Sequence, residues 1–77
     1  MLTGKRFKLS SPTVAIAVVD DKDTAVTIPA EALIKVLAGP TNGDPMVNVL
    51  WEGRAVAMFA VDVNVRGTEI VGHVAKA

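Results

Sequence analysis

Seventy-seven residues make one domain and not two, and a chain this short buries only about 60% of the surface its unfolded form exposes. The absence of cysteine excludes disulfide staples, thiol nucleophiles, thiolate zinc sites and iron–sulfur ligation, and it fits a reducing, cytoplasmic setting. Eight basic residues balance eight acidic ones, which is not the footprint of a strongly nucleic-acid-binding domain, while 51% hydrophobic residues exceed what so small an interior shelters and predict a homo-oligomer.

The start, Met1–Ser10, has no apolar core of a secretory signal. The longest apolar runs, Val14–Val19 and Ala55–Val61, are too short to span a bilayer. Turn-forming residues then recur about every ten positions, the pattern of a meander of short strands.

Lys5–Leu9 alternates, with Phe7 and Leu9 against Arg6 and Lys8, and predicts a strand with a basic outer side. Thr13–Val19 is β-branched and apolar on both sides, the pattern of a central strand. Across Asp20–Asp23 follows Thr24–Ile28, which completes a hairpin. The next segment reads two ways. As a helix, residues 30–38 have Pro29 at the first position, Glu31 and Lys35 matched to the two ends of the dipole, and Gly39 closing. As a strand, Ile34 and Val36 point one way and Leu33, Lys35 and Leu37 the other. Ile28 stands where a capping side chain should be, and a strand over Leu33–Leu37 is the expectation.

After the loop Gly39–Pro45, the runs Met46–Trp51 and Arg54–Val61 flank Glu52–Gly53. A glycine in a two-residue connection supplies the positive φ that tight hairpins need. The register then sets Trp51 against Arg54, Val49 against Val56 and Val47 against Met58 on one side. On the other, Leu50 faces Ala55, Asn48 faces Ala57 and Met46 faces Phe59. Both sides are mostly apolar, so one covers the core and the other awaits a second sheet or a second subunit. Met46, Leu50, Ala55, Ala57 and Phe59 are the expected self-association face. Val61, Val63 and Val65 alternate with Asp62, Asn64 and Arg66, giving a long bent strand or one helical turn. Ile70–Val74 reads as the last strand, and residues 75–77 as a frayed tail.

Catalytic equipment is lacking. His73 is the only histidine, near the C-terminus, and no Gly-x-Ser-x-Gly elbow accompanies Ser10 or Ser11. Asp20, Asp21 and Asp23 lack the glycine and the terminal glutamate of a calcium loop, and Gly39–Pro45 lacks the Gly-Lys-Ser/Thr ending of a phosphate loop. The expectation is a non-enzyme without metal or cofactor. Trp51 with Arg54 is the expected ligand-facing pair, since an arginine stacks well on an indole. Lys5, Arg6 and Lys8 around Phe7, together with Arg54, are the nucleic-acid contacts of an alternative reading.

Two resemblances accompany these patterns. The order of strand, hairpin, strand near Leu33–Leu37, loop, hairpin Met46–Val61, a helical turn at Asp62–Arg66 and a closing strand resembles the Src-homology-3-like small barrels. The block from Val47 through Asp62, with Val49-Leu50-Trp51-Glu52-Gly53-Arg54 and Met58-Phe59-Ala60-Val61, is also similar to a group of small bacterial proteins of no known activity. This resemblance implies a mainly β fold, a small barrel of about five to six short strands. It does not imply a proline-rich ligand, for tyrosine is absent and tryptophan single. Separately, Val26-Thr27-Ile28-Pro29, a helix-like Ala30–Ala38 and Gly43-Asp44 are similar to the core of the AbrB and MazE swapped-hairpin proteins. That likeness implies a DNA-binding regulator or antitoxin, although only Lys35 supplies positive charge between Thr24 and Trp51. The leading expectation is a non-enzymatic, homo-oligomeric binding or assembly module of one domain, residues 1–77, with no membrane partner. An enzyme whose site is shared between subunits is a further alternative.

Overall fold

The computed structural model describes residues 3–71. Seven strands form one antiparallel sheet: β1 (Arg6–Leu9), β2 (Thr13–Val19), β3 (Lys22–Ile28), β4 (Leu33–Ala38), β5 (Met46–Trp51), β6 (Arg54–Phe59) and β7 (Gly67–Ile70), with one helix, α1 (Ala60–Arg66), before the last strand. Their lateral order is β3-β2-β6-β5-β4-β1-β7. The sheet curls so that the inner sides of distant strands meet. Phe7 and Leu9 of β1, Ala15 and Ala17 of β2, Ile34 and Val36 of β4 and the β5–β6 residues Val47, Val49, Val56 and Met58 share one core with Ile28 and Val63. The fold is mainly β, as expected, but it is no closed barrel: β3 and β7 stand at the two ends of the order and remain unjoined.

Both two-residue hairpins are tight for the same reason. Glu52 and Gly53 have φ of 51° and 77°, and Asp20 and Asp21 have φ of 52° and 62°, the left-handed pair whose twist matches that of the flanking strands. The β5–β6 register is the one read from the sequence, from Met46 opposite Phe59 to Trp51 opposite Arg54. In the first hairpin the strand begins at Lys22, opposite Val19, so only two aspartates turn. Aspartate tolerates positive φ better than most side chains, and Lys22 and Asp23 are drawn into the ladder.

Residues 33–38 are strand, and the alternative helix over residues 30–38 does not form. The segment pairs with β1 on one side and β5 on the other, burying Ile34 and Val36 while Leu33 and Leu37 face outward. Two ladders outweigh the modest helix preference of an uncapped segment. Residues 60–66 take the helical option instead of the bent strand. Asp62 lies in the first turn and Arg66 in the last, each favourable to the dipole, and they approach to 3.6 Å. Only Val63 of this helix is buried, so the valine alternation was not the signature of a sheet face.

One further expectation is corrected. The closing strand is Gly67–Ile70, because it must start directly after α1 to pair with β1; most of the expected strand Ile70–Val74, with His73 and the tail 75–77, lies outside the described residues. Strand β2 lies between β3 and β6, the central position expected of it, and only its inner side is covered: Thr13, Ala15 and Ala17 are buried while Val14 and Val18 are 53% and 69% exposed. No helix among the described residues is long and apolar enough to cross a membrane.

Candidate functional site

The outer side of the sheet carries the features that folding alone does not use. Strand pairing places its residues in rows across neighbouring strands. One row runs Ile70, Arg6, Lys35, Leu50, Ala55, from β7 through β1, β4 and β5 to β6. Another runs Ala25, Ile16, Ala57, Asn48, from β3 through β2 and β6 to β5. Met46 opposite Phe59 adds to the second region, and Val14 and Val18 follow from the alternation about Ile16.

These rows divide the outer side in two. Over β2, β6 and β5 it is apolar: Val14, Ile16, Val18, Ala55, Ala57, Phe59, Met46 and Leu50, with Asn48 as the one polar side chain and no charge. Phe59 is 46% exposed. A shallow hollow of about 340 Å³ lies here, lined by Ile16, Val18, Met46, Ala55 and Ala57 together with the polar Asn48 and with Asp23 of β3. All five residues expected for self-association therefore lie on one continuous face. Val14, Ile16 and Val18 extend it, a contribution the sequence hid by making β2 apolar on both sides.

Over β1, β4, β5 and β7 lies a second cleft of about 300 Å³. Arg6, Lys35, Leu33, Leu50, Ile70 and the Glu52–Gly53 turn line it. Arg6 and Lys35 are cross-strand neighbours, a like-charge juxtaposition that opposes pairing. The other cations of the first strand region are matched: Lys5 Nζ stands 3.6 Å from Glu69 Oε1 and Lys8 Nζ 2.8 Å from Glu31 Oε1. Arg6 and Lys35 make no such contact with a carboxylate among the described residues.

No family model, curated protein or solved structure matches the chain.

Trp51 and Arg54 do sit opposite one another beside the turn. Trp51 is half-buried and packs against the core, Arg54 is exposed, and neither lines either cleft. Lys5, Arg6 and Lys8 lie on or beside β1 across the sheet from Arg54 on β6, so the four basic residues do not make one cluster, and two of them are engaged with carboxylates. Lys35 is what the sequence reading missed. It lies 29 positions from Arg6, and only the β1–β4 register brings the two together. Among the described residues no group of three acidic or histidine side chains converges to hold a metal ion.

Proposed function

We propose that this chain is a non-enzymatic assembly module, a Src-homology-3-like small domain that packs against further copies of itself through the outer side of β2, β6 and β5. The strand order supports the likeness: strand, hairpin, strand, loop, hairpin, short helix, and a last strand that returns to β1. One observation carries the assembly reading. Nine outward positions on three adjacent strands hold eight apolar side chains and no charge, on a chain with little surface to spare. Such a face on a monomer would be unusual. The small side chains of Ala55 and Ala57 at its middle let an opposing sheet approach closely, and Phe59 projects as an aromatic anchor. A standard interface needs roughly 800 Å² from each partner, about a sixth of the 4875 Å² this chain exposes.

Light scattering on the full chain at tens of micromolar tests the reading. The expected mass is at least twice the 8.0 kDa of one chain. Ala57→Glu should return it to one chain, since a carboxylate at the centre of the face would be buried unpaired. Val65→Glu, on the exposed side of α1, should leave the assembly intact. A single-chain mass at high concentration, or an Ala57→Glu variant that folds and still assembles, overturns the proposal.

A further inference from the structure

We infer that the cleft over β1, β4, β5 and β7 binds a small organic monoanion with an apolar body, a short-chain carboxylate being the simplest member. The inference goes beyond the assembly reading and does not depend on it, although Leu50 borders both regions.

Charge is the first argument. Arg6 and Lys35 face each other across adjacent strands, and both line the cleft. Two cations at such a position repel. The chain has as many acidic side chains as basic ones and uses two of them on the neighbours Lys5 and Lys8, yet among the described residues no carboxylate forms an ion pair with Arg6 or Lys35. An anion seated between them would remove the repulsion, with the planar fork of Arg6 donating to both carboxylate oxygens and Lys35 acting as a point charge.

Shape and lining are the second. Ile70 adjoins Arg6 on one side and Leu50 adjoins Lys35 on the other, with Leu33, 62% exposed, as a further apolar wall. About 300 Å³ lies at the lower end of the range for small-molecule pockets, roughly 300–1,000 Å³. Glu52 at the turn is the cleft's one carboxylate, on the side opposite Ile70. It disfavours a second negative group there, which orients the ligand: charged head at Arg6 and Lys35, apolar body along Leu33 and Leu50. A polyanion such as nucleic acid would meet Glu52 unfavourably.

Titration of the isotope-labelled chain with hexanoate, hexanol, acetate and a short single-stranded oligonucleotide, followed by amide chemical shifts, tests this. Hexanoate should perturb Arg6, Leu33, Lys35, Leu50 and Ile70 with a Kd of about 1 mM, as expected for so few atoms. Hexanol and acetate should each bind about tenfold more weakly, having lost the charge or the body. Arg6→Gln and Lys35→Gln should each weaken hexanoate about three- to tenfold while raising Tm by roughly 1–4 °C, because each removes the like-charge pair. A merely structural role for these cations would lower Tm. Their light-scattering mass should equal that of the parent, which separates failure here from failure of the assembly reading. Equal binding of hexanol and hexanoate, shifts confined to other residues, unchanged affinity in both variants, or displacement of hexanoate by the oligonucleotide would each overturn the inference.

Discussion

Gly67 stands where α1 ends, β7 begins and β1 passes beneath. A Cβ at this position would lie 2.5 Å from the Val63 carbonyl oxygen and 3.2 Å from the Phe7 side chain. Neither neighbour can retreat easily. The Val63 carbonyl accepts the closing hydrogen bond of the helix from the Gly67 N–H, and Phe7 is 5% exposed in the core. The Gly67 backbone itself is extended, with φ of −98°, so the constraint is close approach and not a left-handed turn. Gly67→Ala should therefore cost about 1–3 kcal/mol through overpacking, read as a lower urea midpoint at unchanged slope. An unaltered midpoint would mean that helix and strand do not converge on Phe7.

At the scale of elements, α1 is held to the exit of β1 by Arg66. Its Nη1 donates to Ser11 Oγ at 3.0 Å, while its carbonyl accepts from the Ser10 N–H at 2.7 Å and from Ser10 Oγ at 2.9 Å. A helix of seven residues is unstable alone, so this clamp and the burial of Val63 fix its position. Arg66→Ala and Ser11→Ala should each cost about 0.5–1 kcal/mol, with a coupling near 0.5 kcal/mol in a double-mutant cycle. Ser10→Ala should add independently to Arg66→Ala, because Ser10 contacts only the backbone of residue 66. Additivity in the Ser11 cycle would remove the side-chain half of the clamp. Elements of this kind were legible unequally. The β5–β6 hairpin could be read residue by residue because Gly53 fixes the turn and alternation fixes the register. The helix could not be preferred over a strand, since its valines repeat every second residue and what selects it is the distant contact with Ser10, Ser11 and the core. The same limit hid the Arg6–Lys35 pair: no local spacing reports which strands will be neighbours. At β2 the run apolar on both sides pointed to a central strand, which it is, but such a run reads equally well as buried twice or as buried once with a face left for a partner.

For the whole molecule the open, curled sheet is the deciding feature. A closed barrel would leave only its outer side to interact, whereas this fold keeps two unjoined edges, β3 and β7, as well. The edges differ from the outer face in chemistry. Strand β3 carries Lys22 and Asp23 and is exposed over most of its length, and charges on an edge discourage strand-to-strand addition. The uncharged face over β2, β6 and β5 has no such protection, and it is there that copies should meet. Assembly through a face then links stability to concentration, since only folded chains associate and mass action favours the folded state. For a dimer of chains this size, Tm should rise by about 3–6 °C for each tenfold increase in protein concentration. The slope should vanish in Ala57→Glu and persist in Val65→Glu. Calorimetry over a hundredfold range of concentration reads it directly. A flat Tm in the parent chain would mean that the apolar face meets water and not another copy.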